Sequence, residues 1–210
     1  MFENSSLRRS CARKPTGRHL KYYHQEPLMG KIDYDKTRPI VRRTNVNNPY
    51  SPLFMERMTS KAKWYFFMRT KLMAEMRDAE VNPRAFSTRD QWVDSNMIKN
   101  ITKELGAGIV GLAKYTPSIL YQDAKIQNHK TVIIFGMAMK YDLMVDIGAE
   151  SQEEVHRVYY ELDEIGVRLS QRIGAMGFEA RTHPNTGDFP LPAYGYLAGL
   201  GEVAKHGCLV

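Results

Sequence analysis

Apolar positions recur at helical spacing in three long stretches of the chain, which predicts three long helices. The first covers residues 52–79 and the second covers residues 87–105, with a capping box at its start. The third begins at a Ser-x-x-Glu capping box at Ser151 and ends near Gly174 or Gly177. These helices supply most of the regular structure expected from the sequence.

Short apolar runs bounded by glycine or turn residues lie between and after the helices, and they predict strands. Two runs at residues 107–114 and 131–139 are rich in small or β-branched residues, and a third strand is predicted at residues 178–181. Residues 116–121 predict a short helix, and residues 184–192 predict a loop. Helices that alternate with strands favour an α/β (α+β) sandwich, with a central sheet flanked by helices.

The last stretch, residues 193–210, joins a helix-forming run to a glycine-rich corner and then to an apolar run that stops at Val210. Glycines in such a corner permit positive φ and close approach of a flat or anionic ligand. The alternative is an ordinary helix-to-strand turn. Because a folded domain seldom stops at the start of a strand, we expect a continuation beyond residue 210 or a partner chain that completes it.

Charge is distributed unevenly, although the hydrophobic fraction of 43% is sufficient for a core. The formal net charge is +7; residues 1–49 hold 11 Lys and Arg against 4 Asp and Glu, and the remainder holds 19 of each. We interpret residues 1–49 as a basic extended arm that wraps its own domain or a neighbouring subunit, and residues 50–210 as the main domain. A nucleic-acid-binding arm is the less favoured interpretation, because the main domain shows no basic face. Apolar residues that could anchor the wrap are Tyr22, Tyr23, Leu28, Ile32, Tyr34, Ile40 and Val41.

The cysteines and the hydropathy pattern exclude several classes of protein. Cys11 and Cys208 lie near opposite ends of the sequence, so they form neither a disulfide framework nor a cluster that could bind a metal or an iron–sulfur centre. No run of apolar residues is long enough for a membrane span. Arg8 and Arg9 lack the apolar segment that a twin-arginine export signal needs, so we expect a cytoplasmic protein.

Five segments in order resemble the cobalamin-binding half of reductive dehalogenases and of their relative, epoxyqueuosine reductase. They comprise the second helix with the Val-Gly-Leu-Ala strand that follows, residues 131–144, the end of the long helix with Met-Gly-Phe-Glu-Ala at residues 176–180, the loop that follows, and Ala-Gly-Leu-Gly-Glu at residues 198–202. The resemblance covers residues 90–210 and does not extend to residues 1–80.

This resemblance implies a nitroreductase-like sandwich that holds a corrinoid (cobalamin) and an enzyme of the reductive dehalogenase type. The chemistry it implies is reductive cleavage of carbon–halogen bonds in a small organohalide or similar substrate. In that family a ferredoxin-like segment follows the cobalamin domain, and this sequence stops before it. We therefore expect iron–sulfur clusters only from a missing segment or from a partner protein that donates electrons.

The resemblance also assigns roles to individual residues. Tyr159 or Tyr160 on the long helix corresponds to the proton-donating tyrosine, and Asn185 corresponds to a substrate-side asparagine, with Asp188 as a substitute if the loop is shifted. The alternatives are core tyrosines with satisfied hydroxyls and an ordinary turn residue at position 185. No protein metal ligand is expected. The predicted cofactor-binding residues are Met139, Tyr141, Gly199, Leu200, Gly201, Glu202, Lys205, His206 and Gly207.

The leading hypothesis is therefore a corrinoid-dependent oxidoreductase, present as a fragment or a subunit. Three other functions remain open: a non-catalytic cobalamin-binding module, a nucleic-acid-binding or tRNA-modifying protein that uses the basic arm, and a flavin-binding relative of the same fold. The long apolar first helix and the wrapping arm also suggest a homodimer.

Overall fold

The computed structural model describes residues 58–85, 94–185, 187–205 and 207–210. Residues 1–49, which contain the predicted basic arm, lie outside these ranges, as do the predicted starts of the first two helices. No helix in the described ranges is long and apolar enough to cross a membrane. In chain order the elements are α1 (Ser60–Met76), α2 (Ser95–Glu104), β1 (Ile109–Lys114), a 3₁₀ turn (Pro117–Ile119), β2 (Thr131–Gly136), α3 (Tyr141–Met144), α4 (Ala149–Ala175) and α5 (Leu191–Leu197).

The sheet consists of β1 and β2, which pair antiparallel, with Ile109 opposite Gly136 and Lys114 opposite Thr131. Its buried residues include Val110, Ala113 and Val132. Helices together with an antiparallel sheet confirm the α+β class. A larger central sheet, as in a nitroreductase-like sandwich, stays a prediction.

The third strand predicted at residues 178–181 is wrong as a strand, because only Arg181 forms a bridge, to Asp78. This bridge joins the chain that leaves α4 to the chain that leaves α1. Thr182 N–H donates to the Arg77 carbonyl at 2.7 Å, and Ala79 N–H donates to the Ala180 carbonyl at 3.1 Å. The segment after α1 that pairs with residues 180–182 is thus irregular and is not a strand of the sheet. The pairing ends after these few hydrogen bonds.

Helix α4 forms the centre of the described structure, and it packs along α1. It begins at Ala149, so Ser151 is the third helical residue and not the N-cap that the sequence predicts. The Ser151 hydroxyl still accepts a hydrogen bond from Gly148 N–H at 3.0 Å, which satisfies a donor at the helix start. At the other end Gly177, with φ of 92°, terminates the helix as predicted.

Two glycines let neighbouring segments approach α4 more closely than a side chain would allow. A Cβ atom on Gly166 would lie 2.6 Å from Thr182 Cγ2, and one on Gly174 would collide with the backbone carbonyl oxygen of Glu80. Asn82 N–H also donates to the Gly174 carbonyl at 2.9 Å. The segments that follow α1 and α4 are therefore pressed directly onto the backbone of α4.

The remaining elements differ from the predictions mainly at their ends. Helix α1 begins at Ser60 because Thr59 caps it, with the Thr59 hydroxyl accepting from Ala62 N–H at 3.1 Å. Helix α2 is capped by Asp94 and is followed by Gly106, whose φ of 114° confirms it as the residue after the helix. The predicted short helix is the 3₁₀ turn, and β2 stops at Gly136 instead of Met139.

We predict that Gly174→Ala lowers the free energy of unfolding by about 1–3 kcal/mol, the cost of overpacking a well-packed site. The reason is that backbone at Glu80, and not a flexible side-chain tip, blocks the added methyl group. Chemical denaturation followed by circular dichroism measures the change. Gly108→Ala is the matched control, because its added Cβ would meet its nearest atom at an ordinary 3.6 Å. Equal effects of the two substitutions would contradict the close packing at Gly174.

Candidate functional site

The glycine-rich stretch predicted as a ligand-binding corner is the C-terminal end of α5. Gly199 has φ of 70°, its N–H donates to the Tyr196 carbonyl at 2.9 Å, and Leu200 N–H donates to the Gly195 carbonyl at 3.0 Å. This pair of bonds is the Schellman arrangement that ends helices at glycine. Both amide N–H groups therefore donate to carbonyls of the helix itself. A ligand that contacts Gly199 would meet its exposed Cα atom.

The turn after α5 rests on β1 because β1 carries a glycine at the contact. A Cβ atom on Gly111 would lie 2.8 Å from Ala198 Cβ and 3.1 Å from Leu200 Cδ2. Gly199, in contrast, is exposed, and a Cβ atom there would have no neighbour within 4 Å. One side of the turn is thus packed on the sheet, and the other presents an open glycine surface.

Beyond Gly201 the chain folds into a short hairpin. Glu202 and Val210 exchange backbone hydrogen bonds at 2.8 Å in both directions, and Gly207, with φ of 83°, donates to the Ala204 carbonyl at 2.8 Å. The apolar run at the chain end therefore pairs back on the segment before it. Glu202, Lys205 and Gly207 are exposed, Leu200 and Gly201 are half-buried, and His206 lies outside the described residues.

Tyr194 fixes the position of α5. Its side chain is fully buried, and its hydroxyl accepts from Thr116 N–H at 3.0 Å and donates to the Thr116 carbonyl at 3.2 Å. Its ring contacts Phe189 with centroids 4.7 Å apart. The loop before α5, the helix itself and the end of β1 are thus held together.

Asn185 lies in that loop, in an exposed turn closed by a hydrogen bond of 2.7 Å from Gly187 N–H to the Pro184 carbonyl. The turn rests on His183, whose Nδ1 is 3.5 Å from Asp188 Oδ2 and whose ring is 4.9 Å from Phe189. Burial lowers the pKa of His183 to about 4, with Asp188 opposing that change. His183 is therefore neutral near pH 7. Asp188, the alternative acid in the sequence analysis, lies against this histidine.

The two candidate tyrosines of α4 face α1. The Tyr160 ring is 5.7 Å from Trp64 and 5.9 Å from Tyr65, and the guanidinium carbon of Arg69 is 4.9 Å from the centre of the Tyr159 ring. Both tyrosines are half-buried. Their described contacts thus belong to the α1–α4 interface, whereas the glycine turn belongs to β1.

A buried ion pair between Arg69 and Asp163 lies next to the ring of Tyr159. Arg69 Nε donates to Asp163 Oδ2 at 2.7 Å, and the two side chains are only 12% and 6% exposed. Burial raises the pKa of Asp163, although the hydrogen bond from Arg69 acts in the opposite direction. His156 is also buried, and burial followed by the charge of Arg69 lowers its pKa. We call Arg69, His156, Tyr159 and Asp163 the polar cluster of the α1–α4 interface.

Sequence reasoning selected Tyr159 and missed the other three members, Arg69, His156 and Asp163. His156, Tyr159 and Asp163 are spaced i, i+3 and i+7, so they share one face of α4. Ionisable residues on a face that also carries buried apolar positions were a usable signal. Arg69 could not have been assigned to them, because it lies 94 residues away from Asp163 in the chain.

A second charged contact positions the segment that carries Met139 and Tyr141. The buried carboxylate of Glu154 accepts from Lys140 N–H at 2.8 Å and from Arg157, and these bonds lower its pKa to about 2. Met139 is half-buried, whereas Tyr141 is 81% exposed. The exposed apolar surface continues through Val145 and Ile147. The start of α4 therefore holds in place a segment with exposed apolar side chains.

The described residues contain no group of three or more His, Cys, Asp or Glu side chains that could hold a metal ion. The candidate residues fall into three places instead of one, and the first is the segment with Met139 and Tyr141 before α4. The loop with Asn185, α5 and the glycine turn are connected through Phe189 and Tyr194. Tyr159 and Tyr160 contact α1 on the long helix.

Comparison with solved structures shows a likeness to two forms of the catabolic reductive dehalogenase NpRdhA, both N-terminally tagged and one of them a point variant. The variant superposes with a TM-score of 0.57 and the other form with 0.54, each at 22% identity over 69% of this chain. The matched part is 23% of the dehalogenase chain, so this protein spans a minor part of its length. No protein-family model and no curated protein matches the sequence. The fold is thus similar to that of a segment of this reductive dehalogenase.

We predict that Asp163→Ala lowers the free energy of unfolding by about 3–5 kcal/mol, because it leaves the charge of Arg69 buried and unpaired. The double substitution Arg69→Met with Asp163→Leu is expected to recover most of that loss, since it removes both charges. Denaturant unfolding measures both variants. Glu164→Ala is the matched control: its partner Arg168 is 59% exposed, so the loss is expected to be no more than about 0.5 kcal/mol. A small effect of Asp163→Ala would contradict the buried pair.

A pH dependence follows from His183. Its folded-state pKa, about 4, lies below the ordinary histidine pKa of 6.5, so between these values the unfolded state binds more protons. Stability from this group is therefore present above pH 6.5 and is lost as the pH falls toward 4. We expect His183→Gln to flatten the decline of unfolding free energy between pH 6.5 and 4. The decline below pH 4.5 that comes from Glu154 should persist in this variant. An unchanged slope above pH 4.5 would contradict the assignment.

Proposed function

We propose that this chain is the corrinoid-binding part of a reductive dehalogenase-like oxidoreductase, as a fragment or as a subunit. The observation that carries the proposal is the fold: 69% of the chain superposes on a reductive dehalogenase, and the turn after α5 packs on β1 at Gly111. Fold likeness at 22% identity does not transfer an activity by itself. The site residues must therefore support the proposal separately.

The residues at the glycine turn fit a large flat ligand. Gly199 has open space where a side chain would be, and the half-buried side chain of Leu200 lies beside it. Tyr141, Val145 and Ile147 add exposed apolar surface between β2 and α4. We assign the cofactor contacts to the Gly199 turn, with Glu202 and Lys205 after it in the chain and with Met139 and Tyr141 on the other segment. His206, which lies outside the described residues, keeps this assignment from the sequence alone.

A bound corrinoid supplies the cobalt chemistry that cleaves a carbon–halogen bond reductively. The overall reaction consumes two electrons and one proton, releases halide and places hydrogen on the carbon. We assign the proton to the hydroxyl of Tyr159, with Tyr160 packed against Trp64 and Tyr65 as a structural neighbour. Asn185, on its exposed turn, can donate or accept a hydrogen bond but cannot act as an acid. Its proposed role is to orient substrate.

The proposed reaction also needs a source of electrons. The described residues hold no cluster of metal-binding side chains, and the matched part is 23% of the dehalogenase's length. We propose a ferredoxin-like domain or protein with iron–sulfur clusters as the donor. A halogenated aromatic or halogenated alkene is the proposed substrate class.

The first prediction of this proposal concerns binding. After incubation with cobalamin and removal of free ligand, we expect near-stoichiometric corrinoid by visible spectrum and cobalt quantitation. Gly199→Asn is expected to weaken retention by about tenfold, equivalent to ~1.4 kcal/mol, because asparagine tolerates positive φ yet fills the open face. Gly106→Asn is the control, since Gly106 also ends a helix at positive φ but lies after α2. A folded protein that retains no corrinoid would overturn the proposal for this chain.

The second prediction concerns catalysis. With a chemical reductant and a halogenated aromatic, we expect Tyr159→Phe to lower the rate of halide release by about 100-fold or more, with corrinoid retention unchanged. Tyr160→Phe is the matched control on the same helix and is expected to keep most of the activity. Corrinoid retention without any turnover in the unsubstituted protein would instead identify a non-catalytic cobalamin-binding module.

A further inference from the structure

The outward face of helix α1 carries two large aromatic side chains that are open to solvent. Trp64 is 51% exposed and Phe67 is 59% exposed. The inward face is apolar as well, with Ala62 and Met73 buried where α4 packs along the helix. A helix that is apolar on all sides is normally covered on all of them. The outward face of α1 therefore offers apolar surface to a partner.

The exposed positions of α1 have the spacing of a seam between two helices. Ser60, Trp64, Phe67, Lys71 and Ala74 are all exposed, and they follow one another at steps of four, three, four and three residues. Alternating steps of three and four residues keep side chains in one line along a helix, and two helices that pack along each other use this repeat. The line is about 21 Å long, at 1.5 Å per residue. A partner that matches it is another straight helix.

The charges beside this line indicate which helix fits. Lys61, near the start of α1, and Glu75, near its end, lie on the same flank of the line. The Lys61 side chain is 63% exposed and lies 3.7 Å from Glu153, a surface contact that holds it weakly. Glu75 is exposed and forms no ion pair with any residue that the structure describes. A second α1 that runs antiparallel brings Lys61 of each copy beside Glu75 of the other, whereas a parallel one brings like charges together.

We infer that α1 forms the interface of a homodimer, in which the two copies of the helix pack antiparallel about a twofold axis. In the register set by the two ion pairs, Trp64 of one copy lies opposite Ala74 of the other, so a large side chain meets a small one. Phe67 lies opposite Lys71, whose cation and apolar stem both suit an aromatic ring. Lys63, on the other flank, meets no acid of the second helix, so the two symmetric ion pairs set the register.

The size of this interface determines how tightly the copies bind. A large aromatic side chain buries about 150–250 Å² when it is fully covered, so covering the exposed halves of Trp64 and Phe67 in both copies removes about 400 Å² from water. The neighbouring side chains of the seam bring the total toward about 1,000 Å², the low end for specific interfaces. We therefore expect a weak dimer, with a dissociation constant of about 1–100 µM.

The interface adjoins the candidate tyrosines of α4. The Trp64 ring is 5.7 Å from the Tyr160 ring, and the opposite side of α1 holds Arg69 over Tyr159. A second α1 on the outward face would shield Trp64 from water and press α1 onto α4. Association through α1 requires no bound corrinoid, so it can be tested in the protein without a cofactor.

Sedimentation equilibrium of the full chain, from about 1 µM to about 500 µM, tests the association. We expect a reversible equilibrium between monomer and dimer in the unsubstituted protein. Phe67→Ser is expected to raise the dissociation constant at least about tenfold, because it removes an aromatic ring from the centre of the interface, and circular dichroism checks that the variant is folded. A protein that stays monomeric throughout this range would overturn the inference, because water or another part of the chain would then cover the face.

Charge reversal tests the antiparallel pairing separately from apolar association. Glu75→Lys brings two lysines together at both ends of the interface, so we expect the dissociation constant to rise about tenfold. Adding Lys61→Glu to the same chain restores opposite charges and is expected to recover most of the affinity. Glu202→Lys is the matched control, since Glu202 is also an exposed acid but lies on the hairpin after α5. Unaltered association of Glu75→Lys, or no recovery in the double variant, would contradict the antiparallel pairing of α1.

Discussion

The architecture depends on how closely other segments can approach helix α4. Because Gly166 has no side chain, Thr182 packs directly on the backbone of α4. A Cβ atom at Gly166 would collide with Thr182 and would lie 3.6 Å from the Phe135 ring of β2. The Glu80 carbonyl oxygen packs on the α4 backbone at Gly174 for the same reason. The sheet, the segment after α1 and the loop before α5 therefore all meet on one helix. Because protein interiors are close-packed, a displacement at any of these contacts would be transmitted to the others.

The α1–α4 interface holds ionised groups as well as apolar ones. Arg69 and Asp163 form an ion pair in a buried region, where an unpaired charge would be costly. Such pairs contribute little net stability compared with apolar residues of the same size, so their benefit is a defined geometry. Here the geometry is the placement of the Arg69 guanidinium over the ring of Tyr159. A purely apolar interface would not hold a cation at that position.

The sequence predicted local features better than contacts between distant segments. Periodicity located α4, β1 and β2, and Gly106 and Gly177 were recognised as helix ends because positive φ strongly favours glycine. The start of α4 was misplaced because a serine can cap from the N3 position as well as from the N-cap. The prediction of a strand at residues 178–181 was wrong because an apolar pattern does not reveal whether a partner strand exists. The Arg69–Asp163 pair could not be predicted, since burial and pairing across the fold are tertiary properties.

In the proposed reaction, the polar cluster gives a physical reason to prefer Tyr159 over Tyr160 as the proton donor. A phenol that gives up its proton becomes a phenolate, and its negative charge spreads over the aromatic ring. A cation held over the ring face stabilises that charge, and more strongly where water is excluded. Arg69 has this position over Tyr159, at 4.9 Å, whereas the described ring neighbours of Tyr160 are Trp64 and Tyr65. Asp163 holds Arg69 in place through the Nε hydrogen bond, so the cation is oriented before any proton is transferred. The two tyrosines are adjacent in sequence, and only their surroundings distinguish them.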